Sequence, residues 1–167
     1  MKVSGEQFLA ISQERTYALL LDPVILAKCI PGCESLDRVA DNEYAMKMKM
    51  VLASISGQFQ GKVKITDANP PTSFKMLVDG SGKIGFVKGE GVLNLSTAGD
   101  GTSVQYEGDV QVGGTMAAVG QRLLGTVTRV LIAEFFRGLE RRVAPRAGLA
   151  MPRWVAMLLA LVRRKSS

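Results

Sequence analysis

Residues 114–143, GTMAAVGQRLLGTVTRVLIAEFFRGLERRV, decide the fold, because no other long stretch of the chain carries a helical apolar period. At about 100° per residue, Met116, Val119, Gly120, Leu123, Val127, Val130 and Leu131 share one face, while Arg122, Arg129, Arg137 and Glu140 lie on or toward the other. The spacing predicts one amphipathic helix over the whole stretch. At ~1.5 Å per residue its length is on the order of 40 Å, enough to cross a sheet, so the sheet is expected to curl around it.

Most of what comes before has period two. Tyr44, Met46, Met48, Met50 and Leu52 alternate with Lys47 and Lys49. The next segment sets Ile55, Gly57, Phe59, Gly61, Val63 and Ile65 against Gln58, Gln60, Lys62 and Lys64, and stops at Asn69-Pro70-Pro71. Residues 73–78, 86–95 and 103–112 continue the series across Gly-rich turns. With strands at 2–9 and 35–39, about seven are expected. Two short helices fit between those last two strands, one ending at Leu21 and one over 23–29, with Asp22 as cap and Pro23 in its first turn. The order is α+β: an antiparallel sheet with one face on the long helix and the other in water.

A chain of 167 residues, 47% of them hydrophobic, makes one domain with a real core, here 1–144, followed by a tail at 145–167. The opening MKVSGEQF lacks the apolar core of a signal peptide, and no apolar run approaches the ~20 residues of a spanning helix. A cytoplasmic protein is expected. Cys29 and Cys33, in CIPGC, match neither a zinc pattern nor a disulfide framework. The absence of histidine removes the usual general base, the commonest metal ligand and every histidine-dependent triad, so the reading is a protein without catalytic residues or metal. The +6 charge is uneven: residues 1–136 hold 13 Lys+Arg against 14 Asp+Glu, and 137–167 hold 8 against 1. A basic tail of this kind meets an anionic surface.

The tail sequence says which surface. In RWVAMLLALVRRK, Arg153 and the cluster Arg163, Arg164 and Lys165 bracket nine uncharged residues that include Trp154, Met157, Leu158 and Leu161. Nine residues cannot span a bilayer, but they suit a segment lying among anionic lipid headgroups. The alternative is docking on the body or on a partner protein. Nucleic acid is not expected, because no polar or stacking residues interleave the basic groups.

The strings DPVILAKCIPGCESL (22–36), VKGEGVLNL (87–95) and GTMAAVGQRLLGTVTRVLIAEFF (114–136) resemble the CoxG family of carbon monoxide dehydrogenase subunits, within the START-like, helix-grip superfamily. The resemblance covers roughly residues 1–143, and PGCE and VGQRL are its more specific motifs. It implies a curved antiparallel sheet gripping the C-terminal helix around an apolar cavity. It also implies a non-enzymatic accessory role beside a molybdenum-containing CO dehydrogenase-like oxidoreductase, with membrane recruitment and electron delivery to respiratory quinone; the alternatives are a purely structural membrane-recruitment factor without a ligand, or a small-molecule enzyme of the same superfamily using a carboxylate such as Glu134. The expected location is then peripheral, on the inner face of the cell membrane.

On that basis the expected ligand wall is Leu26, Ile30, Met46, Met48, Met50, Phe59, Phe74, Met76, Phe86, Met116, Val119, Gly120, Leu123 and Val127. From the residues alone, a methionine stripe at strand spacing reads as ordinary core; the resemblance makes it a pocket that adapts to an apolar ligand, a bound quinone being the expected one. Gly120 either lets the helix approach the sheet or leaves room for the ligand. Pro31, Gly32, Cys33 and Glu34 are placed at the cavity mouth, with a plain structural turn as the alternative. Gln121 and Arg122 present an amide and a guanidinium to a ligand head or partner, or form a solvated helix edge. Glu134 falls on the apolar face by the 100° count, where a buried carboxylate could donate to a quinone oxygen, unless the stripe has drifted and it is exposed. The GxGxxG at Gly80, Gly82 and Gly85 leads into a strand rather than a helix and is assigned no nucleotide.

Overall fold

A computed structural model describes residues 1–52 and 55–149. The elements are β1 (Lys2–Leu9), α1 (Gln13–Leu20), α2 (Pro23–Cys29), β2 (Cys33–Ala40), β3 (Glu43–Leu52), β4 (Ile55–Asn69), β5 (Ser73–Gly82), β6 (Gly85–Ala98), β7 (Gly101–Gly113), a 3-10 helix at Gly114–Val119, and α3 (Gln121–Leu149). The seven strands form one antiparallel sheet in the order β1-β7-β6-β5-β4-β3-β2. The two edge strands are joined through α1 and α2, so the small helices carry the chain from one side of the sheet to the other.

Local chemistry sets these boundaries. The Ser12 side chain accepts from the Arg15 N–H to start α1, and Asp22 accepts from Val24 N–H with Pro23 in the first turn of α2. Gln13 fixes α1 to the sheet by donating to the carbonyls of Pro71 and Leu95, at 3.0 and 3.1 Å. The Tyr17 hydroxyl donates to the Ser73 carbonyl at 2.9 Å, and burial pushes this phenol above its ordinary range.

The C-terminal helix differs from the sequence expectation at both ends. Gly114 (φ +75°) and Gly120 (φ +92°) bracket the 3-10 helix, and α3 begins only after Gly120. Two left-handed glycines interrupt what the apolar count reads as one continuous helix. Met116 is nonetheless deeply buried, held by its N–H bond to the Ile84 carbonyl at 2.7 Å. At the other end α3 runs on past Val143 and through Pro145 to Leu149. Among the described residues, no helix is long and apolar enough to cross a membrane.

The core is divided along α3. Phe136, Leu139 and Val143 in its later half are buried with Leu9, Tyr17, Leu20, Phe74, Leu95 and Val104. The sheet-facing residues of its earlier half, from Leu123 to Ile132, are only half-buried. One half closes the core and the other spans open space.

Candidate functional site

The open space consists of two apolar chambers beneath α3. The first, about 240 Å³, lies between α2, the strands β2 to β6, and Phe135 of α3. Leu26 and Ile30 come from α2, Leu36 from β2, Met46 and Met48 from β3, and Phe74 and Met76 from β5. Tyr44 supplies the one polar side chain in this wall. The second, about 270 Å³, lies over β5 to β7 and Val3 of β1, under Thr128 and Ile132 of α3. Glu90 and Glu107 also border it but are exposed, so its interior is apolar too. Apolar pockets of this kind take apolar guests.

The second chamber exists because the strand pairing places glycines where side chains would stand. Met76 pairs with Gly91, Gly91 with Gly108, and Val78 with Gly89. A Cβ on Gly89 would meet the Asp109 carbonyl oxygen at 3.5 Å and Val110 Cγ2 at 3.6 Å, which is ordinary contact. Gly89→Val is therefore expected to fold normally and to fill this chamber, since valine also suits a strand. Overlap with a bound apolar ligand costs about 1–3 kcal/mol, an affinity loss of roughly 5- to 150-fold. Titration with a fluorescent apolar dye, beside a urea midpoint, checks both halves of this expectation.

The structure sorts the expected wall into groups. Leu26, Ile30, Met46, Met48, Phe74 and Met76 line the first chamber. Phe59 and Met116 instead form a second buried cluster, against which Met48, Met50, Val119 and Val127 pack. Leu123 is half-buried and borders neither chamber. Phe86 is a correction: it is 42% exposed and lines neither chamber, because Val87, Gly89, Gly91 and Leu93 take the inward positions of β6. Its ring covers Gly113 and shares a separate surface recess with Met1, Gln121 and Leu124. Gly120 is the other: it is exposed at the break before α3, with nothing within 4 Å of where a Cβ would be. It neither packs on the sheet nor opens the cavity, and any side chain there meets backbone strain rather than ligand.

The PGCE turn is built as a joint. Gly32 has φ +78°, its carbonyl accepts from the Lys49 N–H at 2.8 Å, and a Cβ on it would lie 2.2 Å from the Lys49 carbonyl oxygen. Cys33 pairs with Met48 at the start of β2, while Glu34 is exposed. Burial pushes the Cys33 thiol up, and the Glu34 charge pushes it further, the reverse of what a reactive thiolate needs. Cys29 is buried against α3, its sulfur 3.4 Å from where a Gly138 Cβ would be. The small residue at 138 lets α2 close over the first chamber.

Gln121 and Arg122 are exposed at the start of α3. Glu134 does not enter the cavity: it is half-exposed and forms an ion pair with Arg137 on the same helix. Gly82 and Gly85 join β5 to β6 with no helix following. Arg153, Trp154, Met157, Leu158, Leu161, Arg163, Arg164 and Lys165, expected at the membrane, lie outside the described residues.

A seven-stranded antiparallel sheet closed by a C-terminal helix, with apolar space between them, is the START-like helix-grip architecture. A START superfamily protein from Mycobacterium smegmatis shares it at a TM-score of 0.66 and 18% identity, over 86% of this chain and 97% of that one. A Thermus thermophilus protein superposes at a TM-score of 0.65 with 19% identity, covering 87% and 99% of the two chains. A conserved protein from Geobacillus kaustophilus is more similar, with a TM-score of 0.83 and 36% identity over 87% of this chain and 96% of that one. No curated protein sequence matches the chain. The model of the CoxG family of carbon monoxide dehydrogenase subunits matches residues 5–144, and the chain belongs to that family.

Proposed function

We propose that this protein is a non-enzymatic accessory of a CO dehydrogenase-like oxidoreductase, carrying an apolar ligand, respiratory quinone, in the cavity beneath α3. The observation that supports this most is the cavity itself: space walled by apolar side chains and glycines, in a member of a family named for one component of that enzyme. The first chamber's wall carries no acid or base apart from the Tyr44 phenol, and the chain has no histidine, which suits holding a ligand rather than transforming it. In this reading residues 145–167 hold the complex to the inner leaflet, by apolar burial and by the attraction of Arg153, Arg163, Arg164 and Lys165 to anionic lipid.

Quinone transfer from vesicles tests both parts at once. Delipidated full-length protein is mixed with anionic vesicles containing a respiratory quinone, the vesicles are pelleted at high salt, and the supernatant is extracted for mass spectrometry. Quinone recovered in proportion to soluble protein supports the reading, and recovery is expected to fall when the vesicles are neutral. Protein that returns without quinone from vesicles of either charge overturns it.

A further inference from the structure

The two chambers are neighbours rather than one hall. Both are bordered by Met76, Val78 and Leu93, and by these three residues alone in common. Above them Ile132 faces the second chamber and Phe135 the first, three residues apart on α3 and therefore adjacent on its surface. Met76, Leu93, Ile132 and Phe135 all pack on the same buried core, so side chains stand between the two chambers.

We propose that Met76 and Leu93, beneath Ile132 and Phe135, form a neck that makes the cavity selective for a flexible, chain-like apolar ligand long enough to occupy both chambers. This rests on the reading of the cavity as an apolar binding site and adds what kind of molecule it takes. A short chain sits in one chamber. A longer chain must thread the neck, which an unbranched thioether at Met76 permits by changing rotamer. A rigid fused-ring body of the same total volume has no such route. The glycines opposite Met76 and Val78 keep the far side of the neck open.

The experiment is displacement of a polarity-sensitive anilinonaphthalene dye from the full-length protein by linear alcohols of about eight and about sixteen carbons, and by a rigid sterol. The longer alcohol is expected to displace the dye at a concentration about a hundredfold or more below the shorter one, since each added buried methylene contributes. Met76→Phe is expected to shrink that advantage to about tenfold or less, whereas Met76→Leu retains it. Leu93→Phe narrows the same neck from the next strand and serves if Met76→Phe does not fold. A length advantage that survives both phenylalanine variants overturns the neck, as does a sterol that competes as well as the long alcohol. Dye and short-alcohol binding with no gain from length also overturns the neck while leaving the binding site intact. A wild-type protein that binds neither dye nor alcohol overturns the underlying reading as well.

Discussion

Leu139→Ala is expected to destabilise the protein by ~2–5 kcal/mol, the range for removing a leucine side chain from a packed core. Leu139 is 1% exposed, in the half of α3 that closes the core with Phe136 and Val143. Phe136 stacks on Tyr106 with ring centroids 5.9 Å apart, and Gly138 lets α2 pack beside it, so little around position 139 can move inward to fill a void. Urea denaturation should show a lower midpoint at an unchanged slope, the signature of lost stability without a change in the surface exposed on unfolding. A comparable truncation in the earlier half, Leu131→Ala, removes a side chain that is only half-buried and should cost clearly less. Equal losses at the two positions would contradict the division of α3 into a core half and a cavity half.

That division explains which parts of the fold are legible in the residues. The alternation of Tyr44, Met46 and Met48 with Lys47 and Lys49 marks the inward face of β3 correctly, because one face of that strand is apolar and the other charged. At β6 the same rule has less to work with. Its inward positions include Gly89 and Gly91, so the aromatic Phe86 looks like the inward residue when it is the outward one. Glycines hide a buried face from hydropathy, and here the same glycines create the second chamber. The break at Gly120 is invisible for a related reason: a helical count scores a glycine as a small inward residue and carries no information on its φ. Tyr106, Thr128 and Ile132, which border the second chamber, depend on which strand lies under which turn of α3. That is a tertiary fact. The family resemblance supplies the existence of a cavity, whereas its subdivision is written in strand register.

The turn at Pro31 to Glu34 offers the sharpest contrast between a structural and a functional motif. Gly32→Ala is expected to destabilise the fold by ~2–4 kcal/mol. Holding a non-glycine residue in the left-handed region costs about 1–3 kcal/mol by itself. An added Cβ 2.2 Å from the Lys49 carbonyl oxygen also forces the turn away from β3, and with it goes the 2.8 Å hydrogen bond from Lys49 N–H to the Gly32 carbonyl. That bond ties the end of α2 to β3, the strand that supplies Met46 and Met48 to the first chamber. Glu34→Ala, two residues along and exposed, should change stability by no more than about 0.5 kcal/mol. Thermal unfolding of the two variants beside the parent decides between the readings of this turn. If Gly32→Ala melts with the parent yet loses its hold on a partner enzyme, the turn is a docking surface. If it melts well below the parent, as the contact with Lys49 requires, the glycine of PGCE is there to bring two backbones together.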